Sequence, residues 1–249
     1  MTEQMDALRK SASFARCTDV RPDVAEFEAY EPGLSMEEIR LRYGLERVIK
    51  LASNENSLGV PPSAREALLA ALSRAHRYPQ AGNPRLVSAL AERYRVGPER
   101  IFVGNGSDEL IDLLFRIRAV PGTHNAVAFS PCFGLYVTQA KMAGVELRRA
   151  PLGSDFDFDF EAMLKLTDEN TTLAFVTSPD NPSGRLAAPE RLEDLARALP
   201  PACLLVVDEA YMEFADEGQS LLPALDRLPN VAILRTFSKI YGLAGLRIG

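Results

Sequence analysis

One pattern limits what this chain can fold into more than any other. Seven short apolar runs recur between residues 100 and 249: "RIFVG", "NAVAFS", "VELRRA", "TLAFVTS", "CLLVVDE", "VAILRT" and "GLRIG". Most gaps between them hold a helical pattern, as in "SDELIDLLFRIRA", "YVTQAKMAG", "FDFEAMLKL" and "APERLEDLARAL". Strand-length apolar runs joined by amphipathic helices predict a mainly parallel α/β sheet covered on both faces. Two further helices are expected upstream, in "PPSAREALLAALSRA" and "NPRLVSALAERYRV", the first with proline near its start. Residues 1–50 read as an arm, with turn signals at Pro22, Pro32 and Gly33 and a short amphipathic stretch after them. No repeat or low-complexity tract interrupts the rest.

Bulk properties remove several classes of function. Hydrophobic residues make up 47% of the chain and charged residues 25%, the balance of an ordinary globular protein. A net charge of -6 argues against nucleic acid or an anionic membrane as partner. No apolar run reaches the ~20 residues of a membrane span, and the polar start "MTEQMDALRK" has no signal-peptide core. Cys17, Cys132 and Cys203 are scattered and odd in number, and His76 and His124 have no cysteine or histidine nearby in sequence. Neither a disulfide framework nor a metal site is expected, and a reducing cytoplasm is.

In open parallel sheets ligands bind at the carboxyl ends of the strands, so the residues after each run matter most. After "RIFV" comes "GNGSDEL", Gly104 to Leu110. Gly104 and Gly106 allow a sharp turn and a close approach to a ligand, and Ser107 and Asp108 open a helix whose N-terminus suits a phosphate. The same residues serve equally as a plain helix cap. After "LLVV" comes Asp208, a carboxylate able to pair with a cationic ring nitrogen, bind a metal or cap a turn. Tyr211, three residues on, either offers a phenol to that pocket or packs under the loop. In "SPDNPSG", Asn181 can donate to a ligand oxygen or satisfy its own turn.

The last segment, "TFSKIYGLAGLRIG", decides between these readings. Of five lysines, only Lys239 follows a buried-looking strand between small hydroxyl and glycine positions. A partly desolvated lysine has a lowered pKa and forms Schiff bases with aldehydes. Thr236 and Ser238 can donate to a phosphate, and Arg247 can add charge to it. A Schiff-base lysine, a phosphate cradle, an acidic partner for a pyridinium and a phenol together form the constellation of a pyridoxal phosphate site.

The sequence resembles the fold-type I aminotransferases, within them the histidinol-phosphate branch. The matching segments are "LASNENSLG", "RYPQ", "GNGSDELIDLLFR", "SPCFGLY", "SPDNPSG", "VDEAYMEF" and "TFSKIYGLAGLRIG", in order, from about residue 20 to the end. The resemblance implies an incomplete three-layer α/β/α large domain over residues 51–249, with a mainly parallel seven-stranded sheet, after residues 1–50, which hold the N-terminal arm and the start of the small-domain region. It implies that Lys239 carries pyridoxal 5'-phosphate and shuttles a proton, that Asp208 pairs with the ring nitrogen, and that Asn181 and Tyr211 hydrogen-bond the ring oxygen. Phe133 would stack on the ring. Gly106, Ser107, Ser238 and Arg247 would hold the phosphate, with Asp108 and Thr236 beside them.

Further expectations follow from the family. Tyr78 in "RYPQ" would reach the phosphate of a second subunit, so a homodimer is expected. Tyr30 in the arm and Asn54 would lie over the substrate. The activity implied is transamination between L-histidinol phosphate and 2-oxoglutarate, or glutamate in the reverse sense. An aromatic-amino-acid aminotransferase, a threonine-phosphate decarboxylase and a cofactor-binding fragment without activity share nearly all these motifs. Two departures are Ser57 where the family has proline, and "DNPSG" for "NNPTG". The family pattern also continues past the lysine segment into a small domain that clamps the substrate carboxylate, so this chain is expected to lack that domain.

Overall fold

The computed structural model describes residues 34–249. The chain divides after Asn54 into two units. In the first, helix α1 (Met36–Tyr43) is fixed at its start by reciprocal bonds: Glu38 N donates to Ser35 Oγ, and Ser35 N donates to the Glu38 carboxylate. This is the capping-box arrangement, and Gly44 in left-handed backbone ends the helix. None of its residues is buried.

The second unit, Glu55–Gly249, opens with α2 (Pro62–Ala71) and α3 (Pro84–Tyr94), both with proline in the first turn. Then come α4 (Ser107–Arg118), β1 (Asn125–Ser130), α5 (Gly134–Ala143), β2 (Glu146–Pro151) and α6 (Phe160–Leu164). The chain closes with β3 (Thr171–Thr177), α7 (Pro189–Ala198), β4 (Leu204–Asp208) and β5 (Val231–Leu234). The five strands form one sheet in the order β2-β1-β3-β4-β5, every pair parallel. The alternation in the sequence is therefore a doubly wound sheet, as expected.

The strands are apolar on both sides because both sides are covered. On one face Val127, Phe129, Ala174, Val176, Leu205 and Val207 pack under Leu192, Leu195 and Ala196 of α7. On the other, Ala126, Ala128, Leu173, Phe175 and Val206 pack under Ile111 and Phe115 of α4 and Tyr136 and Ala140 of α5. The helical residues recur every three or four positions, so one stripe of each helix meets the sheet. β2 is an edge strand and carries its charges outward, with Arg148 paired to Glu146 and Asp168.

Among the described residues the expected seven strands are five. "RIFVG" and "GLRIG" lie side by side but share a single rung, in which Gly104 N donates to Gly249 O (2.9 Å) and Gly249 N to Gly104 O (3.2 Å). The second run cannot stay extended. Ala244–Leu246 form a 3-10 turn and Arg247 sits in left-handed backbone, φ +53°. Phe102, apolar in sequence, is 69% exposed beside this incomplete ladder.

Candidate active site

The parallel register sends the carboxyl ends of β1, β3, β4 and β5 to one edge, where α4 also begins. Thr177 pairs across the sheet with Asp208, and Asp208 with Leu234, just before Thr236, Ser238 and Lys239. The sheet thereby gathers Asp208, Tyr211, Thr236, Ser238 and Lys239 at its edge.

Asp208 is almost completely buried, and burial pushes its carboxyl up to about 6, with the Tyr136 hydroxyl pulling the other way. Tyr136 O–H donates to Asp208 Oδ2 at 2.8 Å and shares a second 2.8 Å bond with Thr177 Oγ1. The backbone N–H of Ala210 donates to Oδ1 at 3.1 Å. Tyr136 stacks on Phe175, ring centroids 4.6 Å apart, and is 1% exposed. Burial raises its phenol well above the usual range, so it stays a neutral donor. A carboxylate fixed this way and short of counter-charge suits a cationic ring nitrogen.

Lys239 is half-buried, and its Nζ lies 5.4 Å from the centre of the Tyr211 ring. Its loop is pinned from two sides. Asn56 Nδ2 donates to Ile240 O at 2.8 Å, and Gly242, at φ +64°, approaches Gly59 so closely that an added Cβ would lie 2.2 Å from the Gly59 carbonyl oxygen. Below the loop, Ser238 N donates to Thr236 Oγ1 (3.1 Å), and Thr236 Oγ1 to Ser238 Oγ (3.0 Å).

The anion cradle is built from the start of α4. Gly106 is at φ +80°, and any side chain there would strike Arg247, whose Nη2 lies 2.6 Å from the Cβ position. Ser107 opens the helix and is buried, so the amides of the first turn face the cradle without a capping side chain. Gly106 caps the helix with no side-chain hydrogen bond, so neither Ser107 nor Asp108 serves as the plain cap. Arg247 Nη2 pairs with Asp108 Oδ2 at 3.1 Å. Helix dipole, arginine and hydroxyls form a donor set that matches a phosphate.

The other expected residues divide. Phe133 precedes α5 and meets Tyr136 edge to face, centroids 5.7 Å apart. In the "SPDNPSG" turn the bonds are made by Asp180, which accepts from Ser183 N and Ser183 Oγ and whose own N–H donates to Arg185 O. The turn is therefore closed by Asp180 rather than by Asn181. Tyr78 is fully exposed. Asn54 belongs to the first unit, at φ +50°. Tyr30 lies outside the described residues.

Three contributors escape a reading of the sequence: Tyr136, Thr177 and Asn56. Tyr136 in "FGLY" looks like core, and its only signal is a phenol one turn after Phe133. Tyr136→Phe removes a buried bond to a charged group and is expected to cost about 1–2 kcal/mol at neutral pH. It should also raise the Asp208 carboxyl further. Urea unfolding across pH checks this, since the cost should shrink once Asp208 is protonated; a midpoint equal to wild type at neutral pH would contradict it.

Comparison with known proteins agrees with this geometry. A family model, aminotransferase class I and II, matches residues 46–249. The chain belongs to the class I and II aminotransferases. Within this family it is 57% identical over 239 residues to a histidinol-phosphate aminotransferase of Nitratidesulfovibrio vulgaris, covering 95% of this chain and 64% of that protein. A histidinol-phosphate aminotransferase of Oleidesulfovibrio alaskensis is 56% identical over 93% of this chain and 61% of its own length. The chain thus spans a little under two thirds of these aminotransferase relatives. Among solved structures it is similar to histidinol-phosphate aminotransferase from Sinorhizobium meliloti in complex with pyridoxal 5'-phosphate, with TM-score 0.84 and 30% identity over 93% of this chain and 62% of that one. No helix among the described residues is long and apolar enough to cross a membrane.

Proposed function

We propose that this chain carries the pyridoxal phosphate site of a histidinol-phosphate aminotransferase of histidine biosynthesis, acting with glutamate and 2-oxoglutarate as the second substrate pair. The observation that carries the reading is one sheet edge holding a half-buried lysine over a tyrosine ring, a buried carboxylate and a phosphate cradle at a helix start. The identity to relatives of that name supports the substrate.

The residues fit the cofactor. Pyridoxal phosphate, when bound, supplies an aldehyde that condenses with amines and a ring that takes up electrons released at the substrate Cα. Lys239 would hold the aldehyde carbon, and its Nζ would carry the proton at the substrate Cα. Asp208 would keep the ring nitrogen protonated, its own negative charge favoured by that cation and by the Tyr136 bond. Tyr211 and Asn181 would donate to the ring oxygen, and Phe133 would lie against the ring. The amides of Gly106 and Ser107, the hydroxyls of Thr236 and Ser238, and Arg247 would hold the phosphate, with Asp108 orienting Arg247. Tyr78 is exposed and would serve a second subunit, so the working unit would be a homodimer. The chain would act in the cytoplasm.

The test is a half-reaction. Glutamate added to the cofactor-loaded protein should abolish its visible absorbance and release 2-oxoglutarate in equal amount. Turnover should then favour histidinol phosphate over phenylalanine and threonine phosphate. Preference for either of the latter would move the chain to a sister branch. Covalent cofactor with no response to glutamate would support the reading of a cofactor-binding fragment.

A further inference from the structure

A buried charge cluster lies behind the site and takes no part in the chemistry above. Arg235 follows β5 directly, one residue before Thr236. Its Nε donates to Glu209 Oε2 at 2.9 Å, its Nη2 lies 2.6 Å from the same oxygen, its Nη1 donates to Glu213 Oε1 at 2.8 Å, and Nη2 also donates to Ser220 Oγ at 3.0 Å. Glu209 is fully buried and is closed by Ser220 Oγ and the backbone N–H of Leu221. The face of Tyr94, at the end of α3, lies 5.4 Å from the guanidinium carbon. Tyr241, two residues past Lys239, lies beside Tyr94 and Arg93.

The placement of these groups is informative. Glu209 adjoins Asp208, Glu213 lies in the turn Met212–Phe214 that starts at Tyr211, and Arg235 and Tyr241 bracket Thr236, Ser238 and Lys239. One guanidinium thus ties the segment carrying the carboxylate and phenol to the segment carrying the lysine. Two carboxylates share one arginine, an arrangement with a net negative charge that costs desolvation and that an apolar core would avoid. A planar fork can hold three partners at fixed angles, which a lysine cannot.

We propose that Arg235 is a positioning residue: through Glu209 and Glu213 it clamps the ends of β4 and β5 so that the Tyr211 phenol and Lys239 share one pocket. Its consequence for the cofactor rests on the function proposed above; the clamp itself does not.

Glu213→Ala cuts the tie to the Tyr211 turn and leaves Arg235 and Glu209 as a neutral pair, so the fold is retained. Glu213→Gln keeps an accepting oxygen and serves as the rescue, and Arg235→Lys keeps the charge without the fork. Without cofactor, Glu213→Ala and Arg235→Lys should speed amide exchange across residues 210–216 by about tenfold, with β3 unchanged and Glu213→Gln close to wild type. With pyridoxal phosphate, the pH midpoint of its protein-bound visible absorbance should move by about 1 pH unit in the same two variants, while borohydride still fixes it on Lys239. Unchanged exchange in 210–216, or faster exchange spread through β1 and β3, overturns the clamp. Faster local exchange with an unmoved midpoint overturns its positioning role. If wild type fixes no cofactor, the cofactor reading falls and exchange alone decides the clamp.

Discussion

Lys239→Ala is expected to abolish covalent capture of pyridoxal phosphate and to lower transamination by about 10⁴-fold or more, because it removes both the amine that holds the aldehyde and the base at Cα. Mass spectrometry of the peptide containing residue 239, after borohydride, gives the first readout. Fixed cofactor on another lysine would contradict the assignment. Stability should change little, since the side chain is only half-buried and its loop is held by Asn56 and Gly242 rather than by the lysine. Unfolding midpoints of the two proteins without cofactor should therefore agree, which separates loss of chemistry from loss of fold.

Asp208→Asn is expected to act in opposite directions on activity and stability. Transamination should fall by about 10²–10³-fold, the usual cost of deleting one electrostatic partner at a reacting centre. Without cofactor the variant should be more stable than wild type at neutral pH. An aspartate titrates near 3.8 when unperturbed and Asp208 near about 6 when folded. Below the lower value the carboxyl is neutral in both states and its burial carries no charge penalty. Between the two values the unfolded chain ionises first, so stability declines as pH rises, and the full penalty stands above the folded value. Removing the charge recovers up to about 2–3 kcal/mol at neutral pH and almost nothing below about pH 4. The hydroxyls of Tyr136 and Thr177 can exchange donor and acceptor roles to suit the new amide. Urea unfolding at the two pH values checks this. Equal stabilities at neutral pH would show that Asp208 does not carry the burdened charge.

Most of the site was legible because its residues follow strands. Asp208 ends an unbroken apolar run, Gly106 and Ser107 open an amphipathic helix, and Lys239 stands alone among small residues. A parallel sheet then brings such positions to one edge without any further information. What could not be read depends on contacts between distant segments. Glu209 and Glu213 look like solvated charges until the pairing of β4 with β5 sets Arg235 against them. Tyr136 reads as core because it is core; only the register of Thr177 with Asp208 shows where its hydroxyl points. The first and last of the seven apolar runs had strand composition, and the difference lies in Arg247, whose left-handed backbone breaks the extended run and turns its guanidinium to Gly106 and Asp108.

The lysine loop and the segment before α2 meet main chain to main chain, at Gly242 and Gly59. Side chains elsewhere can yield by changing rotamer, but two backbones in contact have nothing to rotate. The loop bearing Lys239 can move toward residues 56–60 only when that segment gives way with it. The reach of the lysine is thereby governed from a stretch of chain that carries none of its chemistry.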